Sequence, residues 1–152
     1  MKRILLYIGA LALLLLGDGG TDIGSLRPVE VVQLTEAGDL LVLKTDTGDM
    51  GWGFTVEQAV EKLKDTTPGQ IYLDTADYLL LENGTEKYLN QLRVYLKKGT
   101  KVALAEQGLD LRAAAAYLRI HSPSRTIKEG MNPAETLVYE GGKMNLKKFQ
   151  DK

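Results

Sequence analysis

The chain has 152 residues, 44% of them hydrophobic, which fits one globular domain of ordinary size. Nineteen basic residues against twenty acidic ones leave a net charge of -1, so there is no positive field of the kind that holds nucleic acid. Cysteine is absent, which excludes disulfides, a thiolate nucleophile, a cysteine metal site and a lipid-modified N-terminal cysteine.

Lys2 and Arg3 stand before "ILLYIGALALLLLG" (4–17), an uncharged apolar run of fourteen residues. That is short of the roughly 20 residues a helix needs to cross a bilayer, and it matches the apolar core of an export signal, about 7–15 residues long. Residues 1–20 therefore read as a signal peptide cleaved after the run, or as an N-terminal anchor with its basic end in the cytoplasm. Either way the folded part is expected to be exported, at the outer face of the cytoplasmic membrane or in the cell envelope.

"PVEVVQL" (28–34) and "LLVLKTD" (40–46) are strand-like runs separated by "TEAGD", the pattern of a β-hairpin. Val56, Ala59, Val60 and Leu63 then recur at helical spacing, with Glu57, Glu61, Lys62 and Lys64 facing away. "PGQIYLDTADYLLLEN" (68–83) is strand-like with a polar interruption at Asp74–Thr75. Tyr88, Leu89, Leu92, Tyr95 and Leu96 form a second helical stripe that stops at Gly99. "KVALAEQ" (101–107) reads as a strand, and "DLRAAAAYLRIH" (110–121) as a helix capped by Asp110 and ended before Pro123. The four alanines Ala113 to Ala116 predict close packing against a flat surface.

The order ββαβαβα predicts an α/β (α+β) fold: one mixed sheet of four or five strands covered by about three helices, with parallel pairing and right-handed crossovers. The domain is expected over residues 26–122. In the C-terminal extension, 123–152, "NPAETLVYE" starts like a helix and "GGKMNLKKFQDK" reads as a mobile tail.

"TGDMGWGFT" (47–55) raises the question of a phosphate loop. It lacks the Walker lysine and the full G-x-G-x-x-G spacing, and Asp46 and Asp49 would repel a phosphate. Thr55 with Gln58 three residues on forms a capping box, so the glycines are expected to serve the turn between a strand and a helix. His121, the one histidine, lies at a helix C-terminus, where it is expected to meet the dipole. Asp74 and Asp77 could sit where a strand ends, the usual position of sites in open α/β sheets. Tyr72, Tyr78, Tyr88, Tyr95 and Tyr117 read as half-buried core edges or as an interaction surface.

From Gly53 to Leu118 the chain resembles the N-terminal domain of the C-type, usually lipoprotein, subunit of bacterial spore germinant receptors. The likeness lies in a fixed order. A glycine and Thr55 open a helix with "EQAV..L"; "GQIYL" and a short polar insert lead into "DYLLL". A helix of about a dozen residues follows, then a strand ending at "AEQG", and an alanine-rich helix closes the unit. It spans 66 residues, about 90 with the preceding hairpin. The resemblance implies an exported, membrane-associated, non-enzymatic accessory protein of a spore-forming, Gram-positive type of bacterium.

Two function classes follow. In the first, a membrane-tethered interaction domain docks on an integral membrane or cell-envelope protein through Tyr88, Arg93, Tyr95, Lys97 and Lys98, without a cofactor or metal. In the second, a small exported enzyme or ligand-binding protein uses a site at strand ends around Asp46, Asp49, Trp52, Asp74 and Asp77. Self-association is a third reading.

Overall fold

A computed structural model describes residues 26–129 and 133–148. The expected signal or anchor segment, residues 1–20, lies outside them. The described chain runs β1 (Leu26–Pro28), β2 (Val31–Ala37), β3 (Leu40–Thr45), β4 (Met50–Gly53), α1 (Val56–Thr66), β5 (Gln70–Tyr72), β6 (Tyr78–Leu81), α2 (Leu89–Leu92), β7 (Lys101–Ala105), α3 (Leu111–Ile120), β8 (Glu135–Glu140) and β9 (Lys143–Lys148). Seven strands form one mixed sheet in the order β4-β3-β2-β6-β7-β8-β9, and β1 pairs with β5 in a separate parallel ribbon. The fold is α/β, as the alternation of periods in the sequence implies.

Period-two alternation divides the sheet into two apolar faces. Val32, Leu34, Leu79, Leu81, Val102 and Leu104 point to one, where α1 and the segment Leu89–Leu96 cover them. Val31, Leu80, Ala103, Ala105 and Leu137 point to the other, under α3. Ala114 and Ala115 meet that second face while Ala113 and Ala116 are exposed, so half of the alanine run serves the close packing.

Local chemistry sets the helix starts. The Thr55 hydroxyl accepts from Gln58 N at 3.2 Å, and Gln58 Oε1 accepts from Phe54 N at 2.9 Å. Asp110 caps α3 by accepting from the backbone N–H groups of Arg112 and Ala113. The hairpin between β2 and β3 is tighter than "TEAGD" suggests. Ala37 pairs with Leu40, and Gly38, at φ 62, takes the first central position of a two-residue turn, which favours Gly.

Four expectations are corrected. The sheet has seven strands because "MGWG" is itself strand β4, paired with β3, and because residues 135–148 form the hairpin β8–β9. The short helix and tail expected there are therefore strands, and the domain extends past residue 122. Gly141 and Gly142, at φ 59 and 79, make the tight turn between two antiparallel six-residue strands. The helix expected near 88–98 is one α-turn at 89–92 with a 3₁₀ turn at 86–88 before it and turns after it. Leu89, Leu92 and Leu96 are buried all the same. The i, i+3 spacing belongs to 3₁₀ turns as well as to helices, so the stripe survives the change. Finally, the steps β6→β7 and β7→β8 cross the sheet in one direction while α2 and α3 lie on opposite faces, so the two crossovers have opposite hands. One of them therefore departs from the right-handed rule, and the β7–β8 link sets Thr126 antiparallel beside Lys101 on its way to β8.

Gly51 and Gly53 have ordinary φ and serve a different purpose from the one the sequence suggests. A Cβ on Gly51 would stand 2.2 Å from Ala59 O and 2.3 Å from Leu63 N, and one on Gly53 would stand 2.4 Å from Gln58 Cβ. The backbone of α1 lies directly on these two glycines. Of the three glycines in "TGDMGWGFT", Gly48 is the one with a positive φ, 89.

Gly51→Ala should therefore cost about 3 kcal/mol or more in chemical denaturation, because helix backbone and not a flexible side-chain end must move. Gly99→Ala, with nothing within 4 Å of the added carbon, should stay within about 0.5 kcal/mol. Equal effects would contradict the close contact.

Candidate functional site

Each carboxylate of the expected strand-end site has a structural partner or a place apart from the others. Asp46 follows β3, and its Oδ1 accepts from Glu30 N and Val31 N, both at 3.0 Å. It thereby sews the start of β2 to the end of β3. Asp49 forms an ion pair with Arg27 Nη1 at 3.0 Å and accepts from Thr47 Oγ1 at 2.6 Å. Asp77 pairs with Lys97, whose ammonium also donates to Thr75 O at 3.1 Å. Asp74 is exposed in the 3₁₀ turn after β5 and borders a shallow cleft of about 480 Å³ with Lys64, Tyr72, Val94 and Tyr95.

The structure brings Asp46 and Asp77 to one cleft, beside Glu30 and Thr75. Asp46 also lines a second cleft, with Asp49, Lys44, Asp110 and Arg112, and Trp52 lies in a third with Leu40, Phe54 and Lys62. Asp46 is thus common to two clefts, joining Asp77 in one and Asp49 in the other, while Asp74 and Trp52 lie apart. Asp77 also precedes β6, so with Asp46 it lies at the amino ends of the parallel strands. Sites in open α/β sheets lie at the carboxyl ends. The strand that ends before Asp74 is β5, which belongs to the small ribbon, and this explains the misplacement. Among the described residues no three His, Asp or Glu side chains are grouped to hold a metal ion.

The expected interaction surface is also reshaped. Arg93 donates through Nε and Nη2 to Ile127 O at 3.0 and 2.7 Å, so it ties the 93–96 turn to the segment after α3. Lys97 is held by Asp77 and Thr75. Tyr88 and Tyr95 are half-buried and pack against the core, which fits the core-edge reading. Val94, at 77% exposure, and Lys98 are exposed on the surface. Nearby, Lys87 Nζ lies 2.9 Å from Glu36 Oε1 and 5.0 Å from the Tyr88 ring centroid. That hydrogen bond holds the Glu36 carboxyl below its ordinary value. Its small, screened contribution is present above the usual carboxylate range and is lost as pH falls through the lowered value.

No family model, curated protein or solved structure matches the chain. The geometry of this chain therefore carries the functional reading.

Two features were beyond sequence reasoning. Glu30 forms an ion pair with Arg119 across 89 positions of sequence, a contact that no local pattern announces. Met50, Trp52 and Phe54 are 43%, 41% and 70% exposed. Their period-two spacing was visible, but "GDMGWGFT" read as a turn hid the strand that sets them in a row. Trp52 carries Lys62 Nζ at 5.2 Å from its ring centroid. His121 ends α3 as its C-cap, with its ring centroid 4.6 Å from that of Tyr117. The Tyr117 hydroxyl in turn accepts from Leu146 N at 3.1 Å, joining the helix to β9.

Asp46→Ala should destabilise the fold by about 2 kcal/mol, the scale of charge-assisted bonds to two backbone groups. The loss should appear as faster amide exchange at Glu30 and Val31. Arg93→Ala should cost about 1 kcal/mol, whereas Lys98→Ala should stay within about 0.5 kcal/mol. Thermal melts of the two variants side by side separate the tether from the free surface.

Proposed function

We propose that the protein is an exported, membrane-associated, non-enzymatic domain that binds another protein of the membrane or cell envelope. One observation carries this reading: Asp46, Asp49, Asp77 and Asp110, from which an acid–base or metal site would be built, are each bound to a backbone N–H group or an opposite charge within the fold. A chemical site needs groups aimed at a substrate. These groups are aimed at the scaffold.

The apolar run at 4–17 supports export and attachment to the membrane, and the resemblance of residues 53–118 to a germinant-receptor subunit domain supports an integral membrane partner. The contact surface we assign is the exposed turn around Val94 and Lys98. There an apolar side chain and a lysine stand beside the half-buried Tyr95 and the shallow cleft of Tyr72 and Ile71. Apolar and tyrosine surface beside charge is common at protein interfaces.

The test is recovery of a partner from solubilised membranes. Val94→Asp and Lys98→Glu should abolish recovery while melting within about 0.5 kcal/mol of the wild type, as surface changes do. Undiminished recovery with both variants would reject this surface. A hydrolytic activity removed by Asp74→Asn and Asp77→Asn, with no partner recovered, would reject the binding reading.

A further inference from the structure

The two edges of the sheet are chemically unlike. Strand β9 carries Lys143, Lys147 and Lys148 in six residues, the charge that usually discourages contact at a sheet edge. Strand β4 carries no charge. Its glycines turn toward α1, and the alternation sets Met50 and Trp52, with Phe54 just beyond the strand, in one exposed apolar row. The row is about 13 Å long at the rise of an extended chain.

That edge is not open to another strand along its length. Thr45 N donates to Asp49 O, so the alternation of an antiparallel pair directs the backbone groups of Met50 and Trp52 outward. Thr66 Oγ1 already lies 2.9 Å from the Met50 carbonyl, and Phe54 N donates to Gln58. Side chains therefore close both ends of the edge, leaving the backbone of Trp52 at its middle and the exposed apolar side chains for contact.

The position of the row relative to the N-terminus indicates what it touches. The apolar run ends at Gly17, and eight residues, 18–25, separate it from Leu26. Such a link spans at most about 29 Å. Arg27 is fixed to Asp49, the neighbour of Met50. A bilayer holding the run thus lies within reach of the row, and the chain enters the domain at one end of it. Tryptophan and phenylalanine favour the boundary between headgroups and acyl chains, and a lysine above the ring can reach the headgroups. The clefts beside the row carry Lys44, Lys62 and Arg112 against Asp46, Asp49, Glu61, Asp65 and Asp110.

We propose that Met50, Trp52 and Phe54 form a lipid-contact row by which the domain lies with its β4 edge against the membrane surface. This rests on the membrane-associated reading above. Because the flanking charges carry no basic excess, the contact is with the neutral interface and does not require anionic lipid.

Trp52 is the one tryptophan of the chain and reports on the contact directly. The full chain is reconstituted into phosphatidylcholine vesicles, with and without brominated acyl chains, and each sample is also floated on a density gradient. The expected result is flotation together with a shift of Trp52 emission to shorter wavelength and loss of intensity to bromine, as for an indole at the interface. The same values are expected when phosphatidylglycerol is added. Met50→Ser with Phe54→Ser should still float but should lose most of the quenching. A chain that floats with Trp52 unquenched overturns the lipid-contact row and leaves membrane association standing. A chain that does not float overturns both. A shift in emission that appears only when solubilised native membrane proteins are co-reconstituted assigns the row to a protein partner and overturns the proposal.

Discussion

The contact on which the rest of the molecule depends is that between the backbone of α1 and the two glycines of β4. A helix normally stands off a sheet by the length of the side chains between them. Here Gly51 and Gly53 remove that spacing, and the helix rests on the strand itself. The consequence follows from the pleat of the strand. If Gly51 and Gly53 face the helix, Met50 and Trp52 must face away from it. Large apolar side chains are thus forced outward by the same register that permits the close approach.

The same proximity closes the edge of the sheet. Because α1 begins three residues after Gly53 and runs back over β4, its first turn brings Gln58 to Phe54 N. Its last turn brings Thr66 to the Met50 carbonyl. An unprotected edge strand is a template for pairing with another chain. On β9 that risk is met by lysines, whereas on β4 it is met by the helix that the glycines admit. One edge is protected by charge and the other by hydrogen bonding, and only the second leaves apolar side chains exposed.

The parts of the fold legible in the sequence are those set by local rules. The buried face of α1, its Thr55 cap, the Asp110 cap of α3 and the β2–β3 hairpin each depend on residues within a few positions of one another. The stripe from Leu89 to Leu96 was legible as burial but not as helix, since spacing alone does not separate an α-helix from a chain of tight turns. The β8–β9 hairpin was missed although its signal was present. Two glycines between "TLVYE" and "KMNLK" mark a hairpin, but the Asn-Pro at 132–133 suggested a helix start instead. At the candidate site the residue types were visible and their partners were not. Arg27 reaches Asp49 over 22 positions and Asp46 reaches Glu30 over 16, and no periodicity encodes such distances.

Those partners give the two ends of the parallel strands different characters. At the amino ends, Asp46 holds the start of β2, Lys97 joins Asp77, Arg27 joins Asp49, and Arg119 joins Glu30. This is also the end from which Leu26 leads back toward the apolar N-terminal run. At the carboxyl ends, Glu82 accepts from Glu36 N at 2.8 Å, Gln33 donates to Glu106 O at 3.2 Å, and Lys87 joins Glu36. The place where an open α/β sheet usually keeps its chemistry is here occupied by bonds among strands and the turns that follow them. A pull on the N-terminus, such as a tether transmits, would meet the charged pairs first, and each of them crosses between elements that a single hydrogen-bond ladder would not join. The charged residues that first suggested a reaction centre are better understood as what ties a thin two-faced sheet together at the amino ends of its parallel strands.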